Sequence, residues 1–201
     1  MTRQELINEV KTKVDELSAP DDKVIPFDIV NDKPIDTFID GLLDECAKEV
    51  LLIAPPNRLN GVSSEGAVIY SGDDGSGFVL LPDDCLRVLE FKMSEWKRAV
   101  TDFAQEGSDV ALKQGNQYLR GGVCKPVCVL SHRAIGRGFE YYSVKKKHEI
   151  DRLIIVKVTP AEDISFRLQS VVTWWCASRV LQIVGKANGA TMAYERGKSM
   201  L

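Results

Sequence analysis

Cys124, Cys128 and His132 are the residues of this chain that come nearest to a ligand set, because thiolates and an imidazole are the usual donors to zinc. Their spacing works against that chemistry. On a strand, residues four apart share a face but stand about 13 Å from one another at about 3.3 Å per residue, too far to hold one ion. Pro126 and the neighbouring valines disfavour the helix that would bring them together. The expected reading is two small buried thiols and a histidine near a turn, with no metal site.

Other chemical candidates fail on similar grounds. Asp83-Asp84 offers paired carboxylates, but directly after Pro82 such residues form turns by bonding their own backbone. The segment GDDGSG at 72–77 lacks the alternating acidic ligands and terminal glutamate of a calcium loop. Near the end, RGKSML has Met192 where a phosphate loop needs its first glycine, and no helix can follow it. Two histidines, His132 and His148, lie in basic hairpin regions, and no G-x-S-x-G elbow accompanies them. No catalytic residue, cofactor or enzyme activity is therefore expected.

The elements that would position any site follow from hydrophobic period. Residues 2–17 carry Leu6, Ile7, Val10, Val14 and Leu17 at helical spacing, with Thr2 and Glu5 placed as a capping box. A segment with three prolines, 18–34, reads as a loop or extended arm. Then Ile35, Phe38, Ile39, Leu42, Leu43, Cys46, Val50 and Leu51 mark one face of a second helix, stopped by Pro55-Pro56. From about residue 62 the period becomes strand-like, at 67–70, 78–81, 85–93, 127–132, 139–144 and 153–159, with a further strand at 99–103 and an ambiguous stretch at 104–122. A last apolar helix runs over 166–184. Beyond it, Gly185, Gly189 and Gly197 weaken helix formation and leave Met192, Tyr194 and Leu201 as anchors, which predicts a tail that orders by docking on a partner.

Segregated helices and strands define an α+β class. The expected architecture packs the N-terminal helices against the C-terminal helix, around a β-rich insertion of about six or seven short strands. A single domain over 1–201 would have a helical part at about 1–56 and 164–201 and a β-rich part at about 62–160. Hydrophobic residues make up 44% and charged residues 27%, with a formal charge of −3, which excludes disordered and strongly nucleic-acid-binding extremes. No apolar run reaches the length of a membrane helix, the first residues lack the apolar core of a secretory signal, and five scattered cysteines suit free thiols.

Charge is uneven along the chain. Residues 1–56 hold six Lys/Arg against 13 Asp/Glu, whereas 120–157 hold nine Lys/Arg against three acids. Such polarity suits head-to-tail contact between copies, a basic rim near DNA, or simply solvated loops, and it makes Arg133, Arg137, Lys145, Lys146 and Lys147 candidate contact residues. Trp174 and Trp175 point about 100° apart on a helix, so one is expected in the core and the other at a boundary or interface.

Two segments carry a resemblance: LLPDDCLRVLEFKM at 80–93 and FRLQSVVTWWCASRVLQIVGK at 166–186. The first is similar to the strand, leucine-proline-acid turn and strand of the head-to-tail connector (adaptor) proteins of tailed bacteriophages. The second resembles their closing helix. The resemblance implies a structural protein of the virion neck, assembled in the host cytoplasm. As such it would form a homododecameric ring below the portal protein, contact the next neck or tail protein and touch packaged DNA transiently, without membrane contact. Trp174, Trp175, Met192, Tyr194 and Leu201 are the candidate interface residues. The isolated chain is expected to be a monomer or weak oligomer that assembles fully on its portal. The alternative is a nucleic-acid-binding module using the basic segment 120–157.

Overall fold

The structure, a computed structural model, describes residues 1–18, 29–30, 33–64, 66–145 and 147–201. In chain order the elements are α1 (Arg3–Leu17), β1 (Ile29–Val30), β2 (Lys33–Pro34), α2 (Ile35–Ile53), a 3-10 turn (Pro56–Arg58), β3 (Val62–Ser63), β4 (Val68–Ser71), β5 (Gly77–Leu80), β6 (Cys85–Met93), β7 (Ala104–Gln105), α3 (Asp109–Gln114), β8 (Cys128–Arg133), β9 (Gly136–Tyr141), β10 (Ile150–Lys157), α4 (Phe166–Ile183) and α5 (Ala187–Ser199). This is the α+β class read from the sequence. The single domain expected there divides into two compact units, a helical one of Met1–Asn60 with Val158–Leu201 and a β-rich one of Gly61–Lys157.

In the helical unit, α1 begins as its capping box dictates: Thr2 Oγ1 accepts from the Glu5 N–H at 3.3 Å, and the Glu5 carboxylate accepts from the Thr2 N–H at 2.7 Å. Leu6, Ile7, Val10 and Val14 are its buried stripe. Pro34 sets the chain for α2, which buries Ile35, Ile39, Leu43, Cys46, Val50 and Leu51 and ends before Pro55. Helix α4 packs against α1, α2 and α5 at once. Its buried residues therefore go nearly all round, from Leu168 through Val171, Val172, Trp175, Cys176 and Val180 to Leu181, as a helix enclosed by others requires. The expected packing of the second helix on the 166–184 helix is present.

The segment beyond Val184 differs from expectation. It turns at Gly185 and returns as α5, packed on α4 and α1. Its glycines are contact positions: a Cβ at Gly197 would lie 2.5 Å from the Trp175 ring, and one at Gly189 3.0 Å from the Leu17 carbonyl oxygen. Helix propensity counts glycine as a loss, but here the absent side chain lets two helices approach closely, and burial of Ala190 and Ala193 outweighs that loss. The proline-rich arm lies mostly outside the described residues.

The β unit contains two sheets. One has the order β4-β5-β9-β8-β7, the other β3-β10-β6. Strands β4 and β5 form the expected hairpin, Val68 opposite Leu80. The Pro82-Asp83-Asp84 turn, closed by the Cys85 N–H to the Pro82 carbonyl at 3.0 Å, does not return the chain alongside β5. It carries the chain from the first sheet to the second. Phe91 of β6 and Phe139 of β9 then meet edge to face at 4.6 Å between centroids, with Trp96 5.5 Å from Phe91, and make the centre of the shared core. The strand expected at 99–103 shrinks to one bridge, Val100 to Phe91, and the ambiguous 104–122 stretch holds β7, parallel to β8, and the short α3.

Candidate interaction surfaces

The residues singled out at the C-terminal end lie on α4, on α5 and just beyond it, in the helical unit. Trp175 is 5% exposed, and its ring stacks on Tyr194 at 5.2 Å. Trp174, half-buried, lies beneath two cations, Lys13 Nζ at 4.7 Å and the Arg196 guanidinium at 5.1 Å. One tryptophan is core and the other a boundary residue, as the 100° separation predicts. Met192 and Tyr194 are exposed and Leu201 is half-buried.

Lys13 escaped the sequence reading. Its ammonium is buried, donates to Glu9 at 2.5 Å and to Thr173 Oγ1 at 2.5 Å, and burial pulls its pKa below the ordinary lysine value. Arg3 also ties distant parts of the chain together: it pairs with Asp40, with Asp44 at 3.1 Å and with Glu162 at 3.0 Å. Asp44 in turn accepts the Ala161 N–H at 3.1 Å, and Arg3 holds its carboxyl below the usual carboxylate range. The acids of α2 are thus largely engaged, since Arg179 also takes Glu45 and Glu49, and Lys11 takes Asp36.

Pairing likewise redraws the basic end. Arg133 pairs with Glu140 at 2.7 Å and covers the Phe78 ring at 4.6 Å. Arg137 donates to the Cys85 and Leu86 carbonyls, which ties the β8–β9 turn to β6. Lys147 pairs with Glu149 at 2.8 Å, Lys145 is exposed, and Lys146 lies outside the described residues. Along β6 and β10, Lys92 meets Asp151, Arg152 meets Glu90, and Lys157 at the end of β10 meets Asp84. Counted over residues 61–157, there are 14 Lys/Arg against 13 Asp/Glu, so the basic stretch is neutralised by acids from its own unit. The helical unit keeps the excess, 16 acids to 12 basic residues.

The remaining chemical candidates fall into turns and core. Cys124 and His132 are exposed, while Cys128 is buried and burial pushes its thiol well up. Asp74 in the 72–77 turn accepts from the Ser76 hydroxyl and N–H and from Arg120, which together hold its carboxyl down at about 2. Tyr141 shares a 2.5 Å hydrogen bond with His148 Nδ1, and burial pushes the phenol up to about 12.

What the sequence reading passed over is the segment after β7. Leu112 is 70% exposed, Tyr118 86% and Leu119 61%, with Val110 beside them in sequence, yet the backbone carrying them is closely bonded. Buried Gln114 spans it, donating to the Val110 carbonyl at 2.8 Å and accepting the Gly121 N–H at 2.8 Å. Arg120 clamps it to Asp74 at 3.1 and 3.2 Å, and Ser143 donates to the Gly121 carbonyl. Gln117 and Arg120 join Asp73, Ser143 and Lys145 around an open cavity of about 390 Å³. Among the described residues, no helix is long and apolar enough to cross a membrane. No family model matches this chain, and no curated protein matches it.

Proposed function

We propose that this chain is a structural virion protein of a tailed phage, a head-to-tail connector that assembles as a ring beneath the portal and meets the next neck or tail protein. The observation that carries this reading is the display of large apolar side chains on firmly bonded surface elements of both units: Leu112, Tyr118 and Leu119 on one, Phe166, Met192 and Tyr194 on the other. Large apolar groups held on ordered backbone offer area that a protein partner can bury. The resemblance of residues 80–93 and 166–186 to connector segments supplies the class of partner. Lys145 is the exposed basic side chain best suited to transient contact with packaged DNA, because Arg133 and Arg137 are committed within the unit. The expected result of negative-stain imaging is a ring added below the portal when purified protein is mixed with portal-bearing heads. Heads that bind none of it, or a free chain that binds single-stranded DNA tightly as a monomer, overturn the proposal.

A further inference from the structure

Most sheet edges in the β unit are short or capped. Strands β3 and β7 have two residues each, while β6 has its Phe91 taken by Val100 and its Cys85 and Leu86 carbonyls by Arg137. Strand β4 differs. Its neighbour β5 bonds β9 through alternate residues, in step with the Leu81 N–H to the Arg137 carbonyl at 3.1 Å, which leaves Phe78 and Leu80 to bond Tyr70 and Val68. The N–H and C=O groups of Ala67, Ile69 and Ser71 therefore point off the edge of the sheet, with no bond to them among the described residues. Ala67 and Ile69 are also the β4 residues that line an open cavity of about 460 Å³, whose other walls are Ser63, Ser64 and 147–153. Strand β10 is uncovered there too: beyond the Ser64 N–H to Leu153 carbonyl bond at 2.9 Å, Ile150 and Arg152 pair with β6 alone. Charges around the cavity are answered within the unit, Lys147 by Glu149, Asp151 by Lys92 and Arg152 by Glu90, so the slot offers backbone groups and apolar surface in place of a net charge. We infer that it takes one extended, uncharged segment of a partner protein, added to β4 as a further strand. Val68 and Tyr70, 48% and 45% exposed, become its cross-strand neighbours. A second copy does not meet the requirement: its other described edges are short or capped, and its own β4 brings β5 along, which the walls at 63–64 and 147–153 exclude. The inference does not depend on the connector reading.

The test adds a synthetic peptide, acetyl-Gly-Thr-Val-Thr-Ile-Thr-Val-Gly-amide, to the full-length chain and follows amide hydrogen exchange residue by residue by NMR. In the free chain the Val68 and Tyr70 amides should be protected, and those of Ile69 and Ser71 should exchange freely. With peptide at roughly ten times its Kd, the Ile69 and Ser71 amides should slow about tenfold. The same peptide N-methylated at its central residues should have no effect, because it keeps its side chains and loses its donors. Ile69→Pro removes an N–H that β5 does not use, at an edge position that tolerates proline, and should leave the Ser71 amide fast with peptide present. Should that variant fail to melt cooperatively, the methylated peptide on the wild type still decides. Ile69 and Ser71 amides already protected in the dilute free chain overturn the inference, as do amides that no soluble concentration of peptide slows, or a methylated peptide that acts as well as the parent. Protection that grows with protein concentration in the absence of peptide makes a second copy the occupant and overturns it too.

Discussion

The helical unit and the β unit are built on opposite plans. In the helical unit, the bonds that matter join residues far apart in the chain: Arg3 to Asp40, Asp44 and Glu162, the Met1 amino group to Gln169 at 3.1 Å, and Arg179 to Glu45 and Glu49. The first and last segments complete each other, and neither buries its stripe alone. The β unit is one unbroken segment whose ends finish as neighbours, since Val62 of β3 pairs with Ile155 of β10. Its core, from Val79 to Ile155, lies wholly inside that segment. Along the chain, the β unit is an uninterrupted insertion between the two segments that make up the helical unit.

The largest effect should come from removing α5. Truncation after Val184 uncovers Trp175 and Leu181, each worth about 1.5 to 3 kcal/mol or more when covered, and should unfold the helical unit in a thermal melt followed by far-ultraviolet circular dichroism. Residues 61–157 expressed alone should instead keep a cooperative transition and the near-ultraviolet signature of buried Trp96. If the truncated chain melts like the wild type, or the excised segment is unfolded, the contrast between the two plans fails.

A smaller loss is expected at the centre of the β unit. Phe91→Ala removes the ring that Phe139 and Trp96 meet edge to face, and should cost about 3 to 5 kcal/mol in urea denaturation followed by Trp96 fluorescence in a Trp174→Phe, Trp175→Phe background. A cost near that of a surface substitution would mean the two sheets do not share this core.

These elements were unequally legible in the sequence, for physical reasons. The α1 cap, the stripe of α2 and the bounds of β6 depend on local pattern and could be read directly. The destination of the Pro82 turn could not, because it depends on β6 pairing with β10, some sixty residues later. Helix α5 was obscured because glycine's propensity cost is visible in sequence while the close approach it permits at Trp175 is not. Charge polarity was legible along the chain but its pairing was not: blocks of like charge say nothing of register, and register sets Arg152 beside Glu90 and Lys92 beside Asp151. Segment 110–120 has no hydrophobic period to detect, and its clamp through Gln114 and Arg120 exists only in three dimensions.

Arg3→Gln sharpens the comparison further. It leaves Asp40, Asp44 and Glu162 without their common cation and should cost about 1 to 2 kcal/mol at neutral pH, the range of partly exposed charge-assisted bonds. The sign of the pH dependence follows from Asp44. Arg3 depresses its folded-state pKa, so the stabilisation is fully present above the unfolded value of about 4 and is lost as pH falls through the lower folded value. The gap between wild type and variant should therefore narrow below about pH 4, and a gap that is constant with pH would assign the loss to packing of the arginine stem.

The smallest effect belongs to the ion pairs along β6 and β10. Lys92, Asp151, Arg152, Glu90, Lys157 and Asp84 are paired at 2.6 to 3.0 Å, but most of these side chains are substantially exposed, so water and salt screen them. Arg152→Ala should cost no more than about 0.5 to 1 kcal/mol at low ionic strength and almost nothing in molar salt. The contrast with Arg3 comes from topology: strands β6 and β10 are already joined by a backbone ladder, whereas Arg3 ties α1 to α2 and to Glu162, segments with no backbone ladder between them. Equal costs for Arg152→Ala and Arg3→Gln in one urea series would mean that chain separation does not decide what an ion pair is worth in this protein.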